Sequence, residues 1–205
     1  GSLPRRSAVW LGAFLPDEVR EVLGRDVPDA LLFDAHERHA ADMAGADPVT
    51  MAQYVDLRTY MGDGILTKVD RASMACSVEV RVPLLDHRVA ELAFRMPASL
   101  RRRWLWGKIP LRRLMEDRLP RRVLWRGKKG FGAPVASWLR GAGRDQMMDT
   151  LGSGAASAWM DQEVIDRLIA EHLEGVADHR RRLWALTVFL GWSQGPYGPG
   201  EEVHS

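Results

Sequence analysis

Apolar residues recur at three- and four-residue intervals through most of this chain, the period of helices that bury one face. LPDEVREVLG (15–24) sets Pro16 and two acids in a first turn with Gly24 at the end, and PDALLFDAHERHAADMAG (28–45) repeats that grammar, so both are predicted helices. In DPVTMAQYVDLRTYMGDG (47–64), Asp47 is the predicted cap, Pro48 follows, and Met51, Tyr54, Leu57 and Met61 share a face before a break at the glycines. A new helix is predicted from about Asp63 through ILTKVDRASMACS, with Cys76 in mid-helix as a small buried hydrophobe. Pro83 stops regular structure, Asp86 caps HRVAELAFRMP, and Pro97 closes that helix. Further helices are predicted at 108–118, 134–140, 161–173 and 177–192, the last carrying the buried run LWALTVFLGW. A Gly- and Lys-rich loop occupies 125–133, and 195–205 is a loose tail. No run alternates well enough to predict a strand, so the expected class is mainly α, with residues 1–194 as one helical part and 195–205 as a flexible tail.

Composition narrows the function classes. The 205 residues are 46% hydrophobic and 27% charged, enough to bury a core. A net charge of +2, from 29 Lys and Arg against 27 Asp and Glu, gives no overall reason to expect a polyanionic partner. One cysteine excludes an internal disulfide, and no apolar run approaches the roughly 18 residues that span a bilayer. A cytoplasmic location without membrane or nucleic-acid partners is the expectation. The opening Gly1-Ser2-Leu3-Pro4 lacks a methionine and reads as a scar, with the natural start elsewhere.

Three segments set polar groups among apolar ones: KVDRASMACSVEVRVPLLDH (68–87), GKIPLRR (107–113) and WRGKKGFGAP (125–134). In the first, Glu79 and Arg81 lie between valines that look buried. Unpaired, such charges would cost several kcal/mol, so they are expected to pair with each other, with Asp70 and Arg71, or with Asp86. In the second, Lys108 precedes Pro110 at a helix start, where a cation beside outward-pointing N–H groups suggests a phosphate site. In the third, Arg126, Lys128 and Lys129 stand among glycines that allow close approach of backbone to an anion.

Taken in order, these segments and the S-W-L-R that follows resemble the C-terminal half of the synthetase domain of glutamine-hydrolysing asparagine synthetases, over about residues 56–140. The resemblance implies the helical C-terminal part of an α/β adenine-nucleotide α-hydrolase-like (ATP-pyrophosphatase) domain. It implies an ATP-dependent carbon–nitrogen ligase that activates a carboxylate as an acyl-adenylate for attack by ammonia or an amine, with ATP and Mg2+ as cofactors. Lys108 matches the family lysine that contacts the phosphates and is the expected catalytic residue. Arg126, Lys128 and Lys129 would bind ATP or pyrophosphate, while Asp70, Arg71, Glu79, Arg81 and Asp86 would brace the cleft wall. The sequence lacks the family's Ser-Gly-Gly-x-Asp-Ser pyrophosphate loop, its Gly-Glu-Gly-x-Asp-Glu segment and the glutaminase cysteine, so an N-terminal part, on the same or a separate chain, is the expected partner and supplier of metal ligands. An exposed apolar face is expected to meet that part or a second copy of the chain.

Position 127 is Gly where the family usually has Pro, and Pro110 sits in a helix where the family usually has an unbranched or aromatic residue. These departures bear on the substrate, a small-molecule or peptide carboxylate. The scaffold also resembles β-lactam synthetases and lasso-peptide macrolactam cyclases. A reading of another class is a nucleic-acid or protein-interaction module built on RRRWLWGK (101–108) and WRGKKGF (125–131), where cations interleave with aromatics.

Overall fold

The computed structural model describes residues 2–127, 130, 132–152 and 156–194. Helices make up most of it: α1 Leu3–Leu11, α2 Pro16–Leu23, α3 Asp29–Ala41, α4 Pro48–Asp56, α5 Thr67–Met74, α6 His87–Arg95, α7 Ala98–Arg101, α8 Ile109–Leu114, α9 Arg121–Leu124, α10 Val135–Arg140, α11 Arg144–Leu151, α12 Gln162–Glu174 and α13 Arg180–Ser193. A two-residue antiparallel pair, β1 Arg102–Arg103 with β2 Trp106–Gly107, forms the only sheet among the described residues. The mainly α expectation holds. The chain divides into two compact units, residues 1–8 with 33–130, and residues 9–32 with 131–205.

The second unit is held by a continuous core. Leu139 from α10, Met147 and Leu151 from α11, Ile165 from α12, and Leu183 and Leu190 from α13 have no exposed surface, and Val22 of α2 joins them. Burying each such side chain contributes roughly 1.5–3 kcal/mol. The ends of α2 are those the sequence predicts. Pro16 opens α2, the Glu18 carboxylate accepts from the Leu15 N–H at 2.7 Å, and Gly24 ends it at φ 58° in the left-handed region. Asp161 caps α12 through the Glu163 and Val164 amides, while its own N–H donates to the Val22 carbonyl at 2.8 Å and ties α2 to α12. Gly143 lies against Trp138, where a Cβ would meet the indole ring at 2.3 Å, so no larger residue fits without moving that ring. Helix α11 escaped the sequence reading because it buries only Met147 and Leu151, one turn apart on an otherwise polar segment.

The first unit has a smaller core around Phe33, Ala40, Val55 and Ile109. Asp47 caps α4 as predicted, accepting from Val49 N at 3.0 Å and Thr50 N at 3.1 Å. Its carboxyl is held below the usual range, chiefly by the Thr50 hydroxyl. That hydroxyl also receives the buried Arg101 guanidinium, which reaches Gln53 Oε1 as well.

Three expectations are corrected here. The break at Gly62–Gly64 does not occur: Leu57–Leu66 is π-helical and carries α4 into α5 without interruption. Glycines tolerate the wider turn, and Thr67 Oγ1 donates to the Gly62 carbonyl at 3.0 Å across the end of the π-helical stretch. The 108–118 helix stops at Leu114, because Arg112 and Arg113 suit the negative end of a helix whereas Glu116 and Asp117 would oppose it. Cys76 is neither helical nor buried: Ser77 adopts φ 56° and closes the end of α5, which leaves the thiol exposed.

Candidate functional site

The segment SVEVRVPLLDH is where the sequence sets charges among valines. Val78, Val80 and Val82 recur with period two, and Val82 is extended at φ −111° and ψ 102°. Side chains two apart then share a face. Glu79 and Arg81 pair on the other, at 2.7 Å. The pairing is among those expected, but the burial is not: both charged side chains are more than two-thirds exposed, and Val78, Val80 and Val82 are 53%, 47% and 44% exposed. An ion pair this open to water contributes about 0.2–1 kcal/mol. Asp86 takes neither partner. It caps α6 through the Arg88 amide and grips the Arg88 guanidinium with both oxygens at 2.9 Å, which holds its carboxyl below the usual range.

Asp70, Arg81 and Asp86 line one open cavity of about 490 Å3, together with Leu66, Val69 and Pro83. Glu79 reaches it only through Arg81, and Arg71 is exposed on α5 without lining it. Five residues expected to form one wall thus separate into three that do, one that supports a neighbour, and one that does not.

A second cavity, about 390 Å3, brings together two of the predicted cations, Lys108 and Arg126, with Arg112, which was not among them. Lys108, Arg112 and Arg126 line it with Gly107, Gly127 and an apolar side made by Leu105, Trp106 and Val123. Lys128 and Lys129 lie outside the described residues. Lys108 is the N-cap of α8, as predicted, but in an unusual state: φ is 59°, a left-handed conformation that costs a lysine of order 1 kcal/mol and clusters at functional sites. Helix α8 has only six residues, so the charge at this cavity comes from side chains rather than from a long helix dipole.

Arg112 is the site residue that single-segment reasoning under-weighted. Its guanidinium carbon lies 5.1 Å from the ring centres of both Trp106 and Trp125, and the two indoles meet edge to face at 5.4 Å. Its Nε donates to the Gly107 carbonyl at 3.0 Å. The sequence signal was present: a tryptophan stands two residues before Lys108 and another directly before Arg126. The run RRRWLWGK does not present one basic face, since Arg101 is buried on Thr50 and Gln53 while Arg102 donates to the Trp104 carbonyl within the hairpin. That dispersal weakens the nucleic-acid reading, which needs cations and aromatics on a shared track.

Among the described residues no group of three or more His, Cys, Asp or Glu could hold a metal ion, and no helix is long and apolar enough to cross a membrane.

Comparison with known proteins places these features in a family. The chain is similar to a Mycobacterium bovis protein provisionally named a glutamine-hydrolyzing asparagine synthetase, 39% identical over 181 residues, which is 88% of this chain and 28% of that protein. It is similar to asparagine synthetase (glutamine-hydrolyzing) 1 of Bacillus subtilis, 28% identical over 84% of this chain and 27% of the relative. It is also similar to the amidase chry2 of Gibberella zeae, 28% identical over 59% of this chain and 19% of the relative. The chain therefore spans under a third of the length of the curated relatives it matches. No solved structure matches it. The asparagine synthase family profile matches residues 6–194, nearly the whole of both units and every candidate site residue, and the chain belongs to that family.

Proposed function

We propose that this chain supplies the phosphate-handling wall of an ATP-dependent carbon–nitrogen ligase of asparagine synthetase type. The observation that carries the reading is the cavity that unites Lys108, Arg112 and Arg126, residues from separate stretches of sequence, inside a family match that covers them all. In the reaction, a carboxylate oxygen attacks the α-phosphorus of ATP, an acyl-adenylate forms and pyrophosphate leaves. Ammonia or an amine then attacks the acyl carbon, the amide forms and AMP leaves. A cation fixed beside the departing phosphates stabilises charge that grows during the first step. Lys108 does this as a compact ammonium whose three donors follow oxygens as they move. Arg126, with Lys128 and Lys129, adds counter-charge along the pyrophosphate. Asp70, Arg81 and Asp86 shape the neighbouring cavity, Glu79 holds Arg81, and Arg71 braces α5. Magnesium accompanies the ATP phosphates, on ligands outside the described residues. A further part of the ligase, in the same or a separate chain, covers the exposed 78–85 segment, and the compartment is the cytoplasm.

In the assembled ligase, Lys108→Ala is expected to lower pyrophosphate release at saturating ATP and carboxylate about a hundredfold, the scale of losing one preorganised donor, with the melting temperature unchanged. Turnover within a few-fold of the parent, with equal melting, would show Lys108 to be a solvated surface lysine and sink the reading.

A further inference from the structure

We propose that Arg112 is a positioning residue that sets the other two cations of the phosphate-handling cavity, Lys108 and Arg126, by clamping the two chain segments that carry them. This rests on the reading of that cavity as an anion site. Three contacts define the clamp. Nε of Arg112 donates to the carbonyl of Gly107, the residue directly before Lys108. The Arg112 backbone N–H donates to the Lys108 carbonyl at 3.0 Å. The left-handed turn at Lys108 is therefore held from both sides by one residue. Without such ties a lysine would leave that conformation, since a Cβ crowds its own backbone there.

The third contact is the stack. The guanidinium lies against both Trp106, two residues ahead of Lys108, and Trp125, one residue ahead of Arg126. The guanidinium carbon sits at the same distance from both indoles, which themselves meet edge to face, so its contacts tie the hairpin strand to the end of α9. Lys108 and Arg126 reach the same cavity because of that tie. Nη1 of Arg112 is buried with no hydrogen-bond partner among the described residues. A guanidinium contacts both rings through a planar, delocalised cation while its Nε holds the Gly107 carbonyl, a combination that an ammonium does not reproduce.

The test uses the 205-residue chain labelled with 15N, and inorganic pyrophosphate as the probe. The Lys108 amide and the indole resonances of Trp106 and Trp125, assigned by single Trp→Phe replacements, report the clamp. Arg112→Lys keeps the charge and removes the plane. It is expected to shift all three resonances and to weaken pyrophosphate binding about tenfold, a loss of the size that one misplaced charge contact produces. In a Lys108→Ala background the same replacement is expected to have a much smaller further effect, because coupled residues are not additive.

Fully additive losses would overturn the proposal by showing that Arg112 holds the anion itself. An unshifted Lys108 amide and unshifted indoles would overturn it whatever the affinity. If the parent binds no pyrophosphate, the anion reading falls, and the Lys108 amide in Arg112→Lys still decides the positioning claim. Should Arg112→Lys lose its helical circular dichroism, Trp125→Leu removes one wall of the stack and is read by the same resonances of Lys108 and Trp106.

Discussion

Leu183 on α13 and Val80 between α5 and α6 are both aliphatic, and both sit in apolar runs that read as buried. The first has no exposed surface, while the second is 47% exposed. Leu183 belongs to a stripe that repeats along a helix, with Leu186 and Leu190, and meets matching stripes from α10, α11 and α12. Val80 belongs to a short segment whose valines share one face and whose charges share the other. Such a segment is buried only where another surface lies on it, because it has no repeat of its own to fold back on. The two regions show that an apolar pattern specifies which side chains can be buried, whereas a partner surface specifies which are.

The comparison can be broken by matched truncations. Leu183→Ala is expected to cost about 3 kcal/mol, the transfer loss plus the cavity it leaves, whereas Val80→Ala in the 205-residue chain should change stability by under about 0.5 kcal/mol. Urea unfolding of both variants checks this, and similar losses would mean that the 78–82 segment is covered.

A second contrast concerns buried histidine. His172 on α12 is fully buried, accepts the His179 N–H at Nδ1 over 3.2 Å, and has its pKa lowered, first by desolvation and then by the Arg140 charge. The folded state then binds fewer protons than the unfolded one between the depressed pKa and the ordinary value near 6.5. Stability therefore falls as pH drops below about 6.5, with full stability above it. Melting of the parent should decline across that window, and His172→Gln, which cannot take up a proton, should flatten the decline. An equal slope in both would remove His172 as its source.

Asp161 sharpens the picture at the start of α12. Asp161→Ala removes the cap on Glu163 and Val164 and is expected to cost about 1 kcal/mol, read as a lower urea midpoint with an unchanged slope. The smallest effect is expected at Glu79. Glu79→Gln breaks an exposed ion pair and should change stability by no more than about 0.5 kcal/mol at moderate salt, the reverse of what a buried pair would give. A loss of several kcal/mol would show that water does not reach it.

The legible parts of this protein were local. Pro16, Gly24, Asp47 and Asp86 act through hydrogen bonds and backbone angles within a turn of their own position, so those helix ends followed from residue type. Where a single turn's energetics were balanced, the sequence misled. The glycines at 62 and 64 permit a break and permit a π-helix, and residue type at those positions does not choose between them.

The site divides along the same line. Order and spacing of Lys108, Arg112 and Arg126 were present in the sequence, as was the family resemblance they carry. That Asp86 would close on Arg88 rather than on Arg81 depends on two residues two positions apart and on the helix start between them. The guanidinium held against Trp106 and Trp125 together, and the burial of Arg101 on Thr50 and Gln53, were decided by tertiary structure. Charge and aromaticity are properties of a residue, but a stack or a desolvated guanidinium needs atoms from positions 13 to 51 residues away, and only the fold brings them within range.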